Sequence, residues 1–283
     1  MVSDMDLSSH DTIIKRLQTA GVWSKKALGQ HFLIDRTSLE SIVDAAHITP
    51  EDTIVEIGPG MGVLSRELLS RAGRVVAFEY DIEMVKILAE DLPELDVILG
   101  DVLQTAPDVV KELESYKVVA NIPYQITSPI LKLFLEGVIQ PIPTSMTLLV
   151  QKEVGKRLAA PASKPGRGYL SVLAQYFSEV RYVKDVPAAA FWPQPKVDSA
   201  VIHLELKLER LFSGKEEIAF LKFVKTLFIQ PRKQLKNVVA GIKGVPAAEI
   251  EEYFGTIGLK NSVRAQELNL EQWAQLYTKP FSK

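Results

Sequence analysis

The chain contains no cysteine in its 283 residues. This excludes disulfides, thiolate metal sites and every mechanism that needs a Cys nucleophile, including the covalent route to methylating a pyrimidine ring carbon. Long apolar runs are missing too. No charge-free stretch approaches the ~20 residues of a membrane span, and the opening residues carry Asp4, Asp6 and Asp11 with no signal-peptide apolar core. The expectation is a soluble, cytoplasmic protein with no membrane association. Histidines are scarce: His10, His31, His47 and His203 lie scattered without metal-ligand spacing, so no metal site is expected.

What is present is enough apolar residue, 47% of the chain, to bury a substantial core. The net charge of −2 conceals a strong asymmetry: residues 1–39 carry +1, 40–120 carry −11, 121–190 carry +4 and 191–283 carry +4. The basic remainder holds local clusters at Lys25-Lys26, Lys152/Lys156/Arg157, Lys164/Arg167 and Arg232-Lys233/Lys236. Such clusters can contact phosphates, although most lysine-rich stretches are solvated faces.

Periodicity divides the chain. Ile13, Ile14 and Leu17 belong to an opening helix that ends by about Gly21, Gly29–Leu33 is too irregular for a regular element, and Ser38–Ala46 has helical spacing. Short β-branched runs then appear at Thr53–Ile57, Arg74–Phe78, Asp96–Leu99, Lys117–Ala120 and Thr144–Val150. Helical patterns fall between them at Leu64–Arg71, Glu83–Glu90, Asp108–Leu113 and Pro129–Glu136, the last with Ser128-Pro129 as N-cap and first helical residue. Strands alternating with helices predict a doubly wound, mostly parallel sheet. Helices at Gln151–Leu158 and Leu170–Phe177 and strands at Arg181–Val186 and Ser199–Leu206 continue it, with a proline-studded loop from Phe191 to Lys196. From Glu216 every periodic stretch is helical. The expected division is 1–210 for the α/β domain and 211–283 for a small all-α C-terminal domain.

Thr53–Ile57 runs into Gly58-Pro59-Gly60-Met61-Gly62 and a helix, an arrangement that lets backbone approach a nucleotide-like ligand. A dinucleotide fingerprint would place its third glycine at Val63, which weakens an NAD reading. Glu79 ends the next strand, where a carboxylate can accept from both ribose hydroxyls, and Asp101 ends the third, where it can take hydrogen bonds from an adenine amino group while Val102 packs on the ring. Asn121-Ile122-Pro123-Tyr124 ends the fourth. Alone, that tetrapeptide reads equally as an ordinary turn. The four strand ends together are far more specific, because open α/β sheets bind ligands at the carboxyl ends of their strands. An acidic pocket with no Lys or Arg near the glycine loop suits a sulfonium rather than a pyrophosphate, so S-adenosyl-L-methionine is the expected cofactor.

At this point the sequence resembles the bacterial small-subunit (16S) ribosomal RNA adenine N6,N6-dimethyltransferase family over nearly its whole length. The resemblance is carried by Gly29–Leu33, Glu56–Gly60, Asn121–Tyr124, Gln151–Val154, Phe191–Ser199 and Arg232-Lys233. It implies a Rossmann-like methyltransferase sheet with a small all-α C-terminal domain. It implies that Gln30, His31 and Leu33 close over the methionine part of the cofactor, that Gly58 and Gly60 underlie it, and that Glu79, Asp101 with Val102, and Asn121 complete the site. The family usually has Asn where this chain has His31, which adds bulk and a titratable ring. The implied substrate is the small ribosomal subunit and its rRNA, at two adjacent adenosines near the 3′ end, and the enzyme is expected to act as a monomer.

The chemistry follows from adenine N6, a poor nucleophile because its lone pair is conjugated into the ring. The Asn121 side-chain oxygen and the Ile122 carbonyl would hold its two N–H bonds and aim the lone pair at a methyl sulfonium, with Pro123 fixing the turn. Tyr124 would stack on the base and Phe191 on its other face. Phosphate contacts are expected from Lys25, Lys26, Lys152, Lys156, Arg157, Arg232, Lys233 and Lys236. Competing readings are a large-subunit rRNA adenine methyltransferase conferring antibiotic resistance, a non-catalytic RNA-binding or ribosome-assembly factor on the same fold, and a small-molecule amine methyltransferase.

Overall fold

The computed structural model describes residues 10–24, 29–137, 139–164 and 166–280. In chain order the elements are α1 (His10–Thr19), β1 (Phe32–Leu33), α2 (Arg36–Ala45), β2 (Thr53–Ile57), α3 (Val63–Leu69), β3 (Arg74–Glu79), α4 (Ile82–Asp91) and β4 (Asp96–Leu99). Next come α5 (Val102–Val110), β5 (Lys117–Asn121), α6 (Thr127–Leu135), β6 (Ser145–Gln151), α7 (Lys152–Ala159), α8 (Tyr169–Phe177) and β7 (Ser178–Val186). The chain closes with β8 (Phe191–Trp192), β9 (Ser199–Leu206), α9 (Gly214–Leu227), α10 (Leu235–Lys243), α11 (Ala247–Thr256) and α12 (Leu270–Thr278).

The larger of two compact units comprises Met1–Lys156 and Glu179–Leu206. Its seven-stranded sheet has the order β4-β3-β2-β5-β6-β9-β7, with β4 to β6 mutually parallel and β9 antiparallel to β6. Strands β2, β3, β5 and β6 are almost wholly buried, as expected of parallel strands covered on both faces, and this is why they read as continuous apolar runs. The chain steps outward from β2 to β3 and β4, then returns to β5 on the other side of β2. The strand order therefore reverses between β2 and β5, and a crevice opens there at the carboxyl ends.

Several local expectations are corrected. Phe32–Leu33 is a strand after all, pairing antiparallel with Phe191–Trp192. Helix α5 starts at Val102 rather than near Asp108, because Asp101 caps it by accepting from Leu103 N at 3.0 Å, and Pro107 lies inside it. Helix α6 starts at Thr127 after a 3-10 turn over Tyr124–Ile126, so Ser128 and Pro129 occupy its first turn. Proline is accepted there because the amides of the first turn have no intrahelical partner.

The second unit comprises Arg157–Ser178 and Lys207–Lys283. The division at 210 is thereby revised, since α8 leaves the sheet's partition and joins the helices. Burial explains it: the Tyr176 ring lies 5.3 Å from Phe220, and its hydroxyl donates to Phe212 O at 3.2 Å. Arg167, one of the basic residues of the 161–168 loop, is buried and donates to Leu268 O at 2.6 Å and to Gln175 Oε1 at 2.9 Å. It is a structural pin, which rules it out as an exposed phosphate contact. Phe220, Phe254 and Trp273 form the apolar centre of this unit.

Candidate active site

A cavity of about 330 Å³ lies at the carboxyl ends of β2, β3, β4 and β5, with residues 29–33 also in its wall. The loop after β2 forms its floor. Gly58, Gly60 and Gly62 have φ of 70°, 55° and 78°, in the left-handed region that favours glycine. A Cβ at Gly62 would lie 2.7 Å from the Leu92 side chain, and one at Gly60 would lie 3.1 Å from the Phe32 ring. Side chains are excluded there by backbone conformation and space together, and Val63 can open α3 because the close approach has already been made at Gly62.

Glu79 is buried at the end of β3, with Oε2 accepting from Gly60 N at 3.0 Å and Oε1 from Asp81 N at 2.8 Å. Burial pushes its carboxyl above the ordinary range, while the two amide bonds oppose that. Each oxygen keeps a lone pair for a further donor, as a ribose hydroxyl requires. Asp101 and Val102 line the cavity beside it, Asp101 having its Oδ1 engaged by the α5 cap. Gln30 donates through Nε2 to Asp81 Oδ2 at 3.0 Å, which ties the 29–33 segment to the β3–α4 connection. His31 and Leu33 are in the cavity wall as well. Three carboxylate residues, Glu56, Glu79 and Asp101, line the cavity, and no lysine or arginine does so among the described residues. This donor set fits the cationic S-adenosylmethionine and would repel a pyrophosphate.

Asn121 ends β5 and donates through Nδ2 to the backbone carbonyl of His31 at 3.2 Å. With its donor committed, the amide offers Oδ1 as an acceptor. Ile122 and Pro123 also line the cavity, and Gly58 approaches Pro123 across the switch between β2 and β5, where a Cβ added at Gly58 would lie 3.8 Å from Pro123 Cδ. The Tyr124 hydroxyl bonds Ser199 Oγ at 2.5 Å, and burial pushes its phenol above the ordinary range. The ring is stacked with that of His31, centroids 6.2 Å apart and planes 23° apart.

Phe191 is the expected residue that the structure places elsewhere. Its side chain is 3% exposed, belongs to the apolar core and is absent from the cavity wall. The β1–β8 pairing turns it inward, so the second stacking face assigned to it is withdrawn. Sequence reasoning missed Asp81, Phe32, Gln125 and Tyr80, the last 66% exposed at the cavity rim. Asp81 was detectable in the Glu-x-Asp spacing at the end of β3, where Asp81 also caps α4.

Of the basic residues, Lys25 and Lys26 lie outside the described residues. Lys152 is paired with Asp185 at 2.8 Å and Asp198 at 3.7 Å, and Lys236 with Glu251, so both are committed to ion pairs. Lys156 and Arg157 are exposed on α7, and Arg232 and Lys233 are exposed in the turn preceding α10.

A glycine floor, acids at the two strand ends beside it and an Asn-x-Pro-Tyr turn at the fourth, all on a doubly wound sheet, define a Rossmann-like methyltransferase core. The chain matches the family model described as ribosomal RNA adenine dimethylase over residues 23–279. Ribosomal RNA small subunit methyltransferase A of Dehalococcoides mccartyi is 38% identical over 257 residues, covering 89% of this chain and 87% of that protein. Its counterpart in Clostridium acetobutylicum is 39% identical, covering 89% of this chain and 91% of that protein. The crystal structure of the 23S rRNA methyltransferase ErmE superposes with a TM-score of 0.72 at 28% identity, covering 87% of this chain and 98% of that one. A dimethyladenosine transferase from Plasmodium falciparum, 24% identical with a TM-score of 0.70 over 87% of this chain and 96% of that one, shares the fold. The chain belongs to the ribosomal RNA adenine dimethylase family, and it is an S-adenosylmethionine-dependent enzyme that dimethylates adenine in ribosomal RNA.

Proposed function

We propose that the enzyme methylates the N6 amino groups of two adjacent adenosines near the 3′ end of small-subunit (16S) rRNA to N6,N6-dimethyladenosine, as a cytoplasmic step coupled to small-subunit biogenesis. The observation that carries the reading is the Asn121 amide, whose Nδ2 is held by the His31 carbonyl so that Oδ1 is left to accept. Bound S-adenosylmethionine supplies an electrophilic methyl on its sulfonium. Asn121 Oδ1 and the Ile122 carbonyl accept the two N–H bonds of the adenine amine, draw its lone pair out of conjugation and stabilise the positive charge that develops on nitrogen. Tyr124 stacks on the extruded base. Exposed Lys156, Arg157, Arg232 and Lys233 contribute phosphate contacts. The small-subunit choice over the large is supported by relatives at 38–39% identity that carry the small-subunit name, against 28% for the large-subunit enzyme.

The test is methyl transfer to undermethylated small subunits and, separately, to large-subunit RNA, with nucleoside analysis of the products. The wild type should yield N6,N6-dimethyladenosine only on the small subunit, and Asn121→Ala should abolish transfer while cofactor affinity stays within a few-fold. Full activity in Asn121→Ala overturns the mechanism, and transfer confined to large-subunit RNA overturns the substrate.

A further inference from the structure

Strand β1 and strand β8 form a two-residue antiparallel ladder with Phe32 opposite Trp192 and Leu33 opposite Phe191. The same register continues at one end, where Ile34 N donates to Ala190 O at 2.8 Å. At the other end it brings His31 opposite Pro193. Bonded and open pairs alternate in an antiparallel ladder, and with Ile34 and Ala190 a bonded pair, His31 and Pro193 form an open pair that no backbone hydrogen bond joins. The side chain of His31 makes the connection there, with Nδ1 2.5 Å from the Pro193 carbonyl oxygen. A carbonyl only accepts, so Nδ1 carries the proton.

The same residue reaches the catalytic turn twice. Its backbone carbonyl accepts from Asn121 Nδ2 at 3.2 Å, and its ring is stacked with that of Tyr124. The loop that starts at Pro193 returns to the same turn at its far end, where Ser199 Oγ bonds the Tyr124 hydroxyl. Residues 193–198 are thus held to the Asn121–Tyr124 turn at both ends, and His31 is the fastener at the first.

We propose that His31 is a positioning residue whose Nδ1–H latches the Pro193 loop and thereby holds Asn121 and Tyr124 in register with each other. The proposal rests on the functional reading of Asn121 and Tyr124 given above. It assigns to His31 a task separate from covering the cofactor.

Two substitutions separate the latch from the ring. In His31→Asn the amide nitrogen can occupy the place of Nδ1 and donate to Pro193 O, but the ring is gone; in His31→Phe the ring remains and the donor is lost. Amide hydrogen exchange over residues 191–199, measured without cofactor or RNA, reads the latch directly. His31→Phe should exchange about tenfold faster there, as loss of roughly 1.4 kcal/mol of local stability requires, and should lose about tenfold in kcat. Its cofactor Kd should change by less than its kcat does. His31→Asn should restore wild-type exchange and recover most of the kcat that His31→Phe loses. Unchanged exchange in His31→Phe overturns the latch, and so does a tenfold weaker cofactor Kd with unaltered kcat. If Asn121→Ala retains activity while the exchange arm behaves as expected, the functional reading fails and the latch stands as a structural device.

Discussion

Replacing Glu56 by Gln should abolish a large pH dependence of stability. Glu56 stands on β2 with 1% of its surface exposed, and its Oε2 accepts from Ser65 Oγ at 2.6 Å. Burial is the dominant influence and pushes the carboxyl up to about 8; the Ser65 bond pulls it down, and neighbouring Glu79 adds to the rise. In the unfolded chain the group titrates near 4.5. Between those values the unfolded state sheds its proton while the folded state keeps it, so Glu56 leaves stability intact below about pH 4.5 and diminishes it as pH climbs toward 8. At 1.36 kcal/mol per pH unit the full interval is worth roughly 5 kcal/mol, and the part below pH 7 roughly 3 kcal/mol. Glu56→Gln retains an acceptor for Ser65 and removes the titration. Urea unfolding of the cofactor-free proteins between pH 5 and pH 8, followed by circular dichroism, should show the wild type losing about 1 kcal/mol per pH unit relative to the variant. Taking the difference cancels Asp52 and His203, which titrate in both proteins. Parallel stability curves would refute the protonated, buried carboxyl.

Phe191→Ala should cost about 3–5 kcal/mol in the same unfolding assay, as truncation of a core phenylalanine does, whereas a base-stacking residue would lose activity with little loss of stability. Tyr124→Phe should retain most methyl transfer, since the ring remains and only the Ser199 bond is lost, while Tyr124→Ala should lose at least about tenfold in kcat, on the order of the 1–3 kcal/mol that base stacking contributes. Charge reversal at Arg232 and Lys233 should lower the slope of log affinity against log salt for RNA by about two. Lys236→Glu should instead destabilise the helical unit, because Lys236 is engaged by Glu251, and an equal change of salt slope at all three positions would contradict that distinction.

The α/β alternation was legible because buried parallel strands must be apolar on both faces, and Thr53–Ile57 and Lys117–Asn121 show that composition directly. The four strand ends could be read for a related reason: a ligand at a switch point needs special residues immediately after each strand, where the pattern breaks. Other features depend on distant partners and leave no local period. A two-residue strand such as Phe32–Leu33 has no alternation to detect, so its pairing with Phe191–Trp192, far along the chain, was invisible, and with it the inward turn of Phe191. Lys152 and Lys236 looked like surface charge because Asp185 and Glu251 meet them only in the folded chain. Helix α8 read as part of the sheet's succession, and only its Tyr176 packing against Phe220 assigns it to the helices.

The concentration of acid in residues 40–120 raises a physical difficulty for an enzyme whose substrate is a polyanion. Glu79 resolves part of it by directing both oxygens at backbone amides, of Gly60 and Asp81. Asp101 and Asp81 do the same at the N-termini of α5 and α4, where the amide dipoles of the helices favour negative charge. Glu56 resolves it differently, by staying protonated while buried. The Glu79 and Asp101 carboxylates are thus arranged to attract a cation at contact distance while projecting little charge beyond the cavity, since screening over about 8 Å at physiological ionic strength removes the remainder. The acids at the site are therefore compatible with RNA because their charge is locally committed, and basic residues elsewhere need not outnumber them. That accounts for a chain of nearly zero net charge serving a cationic cofactor and an anionic substrate at one site.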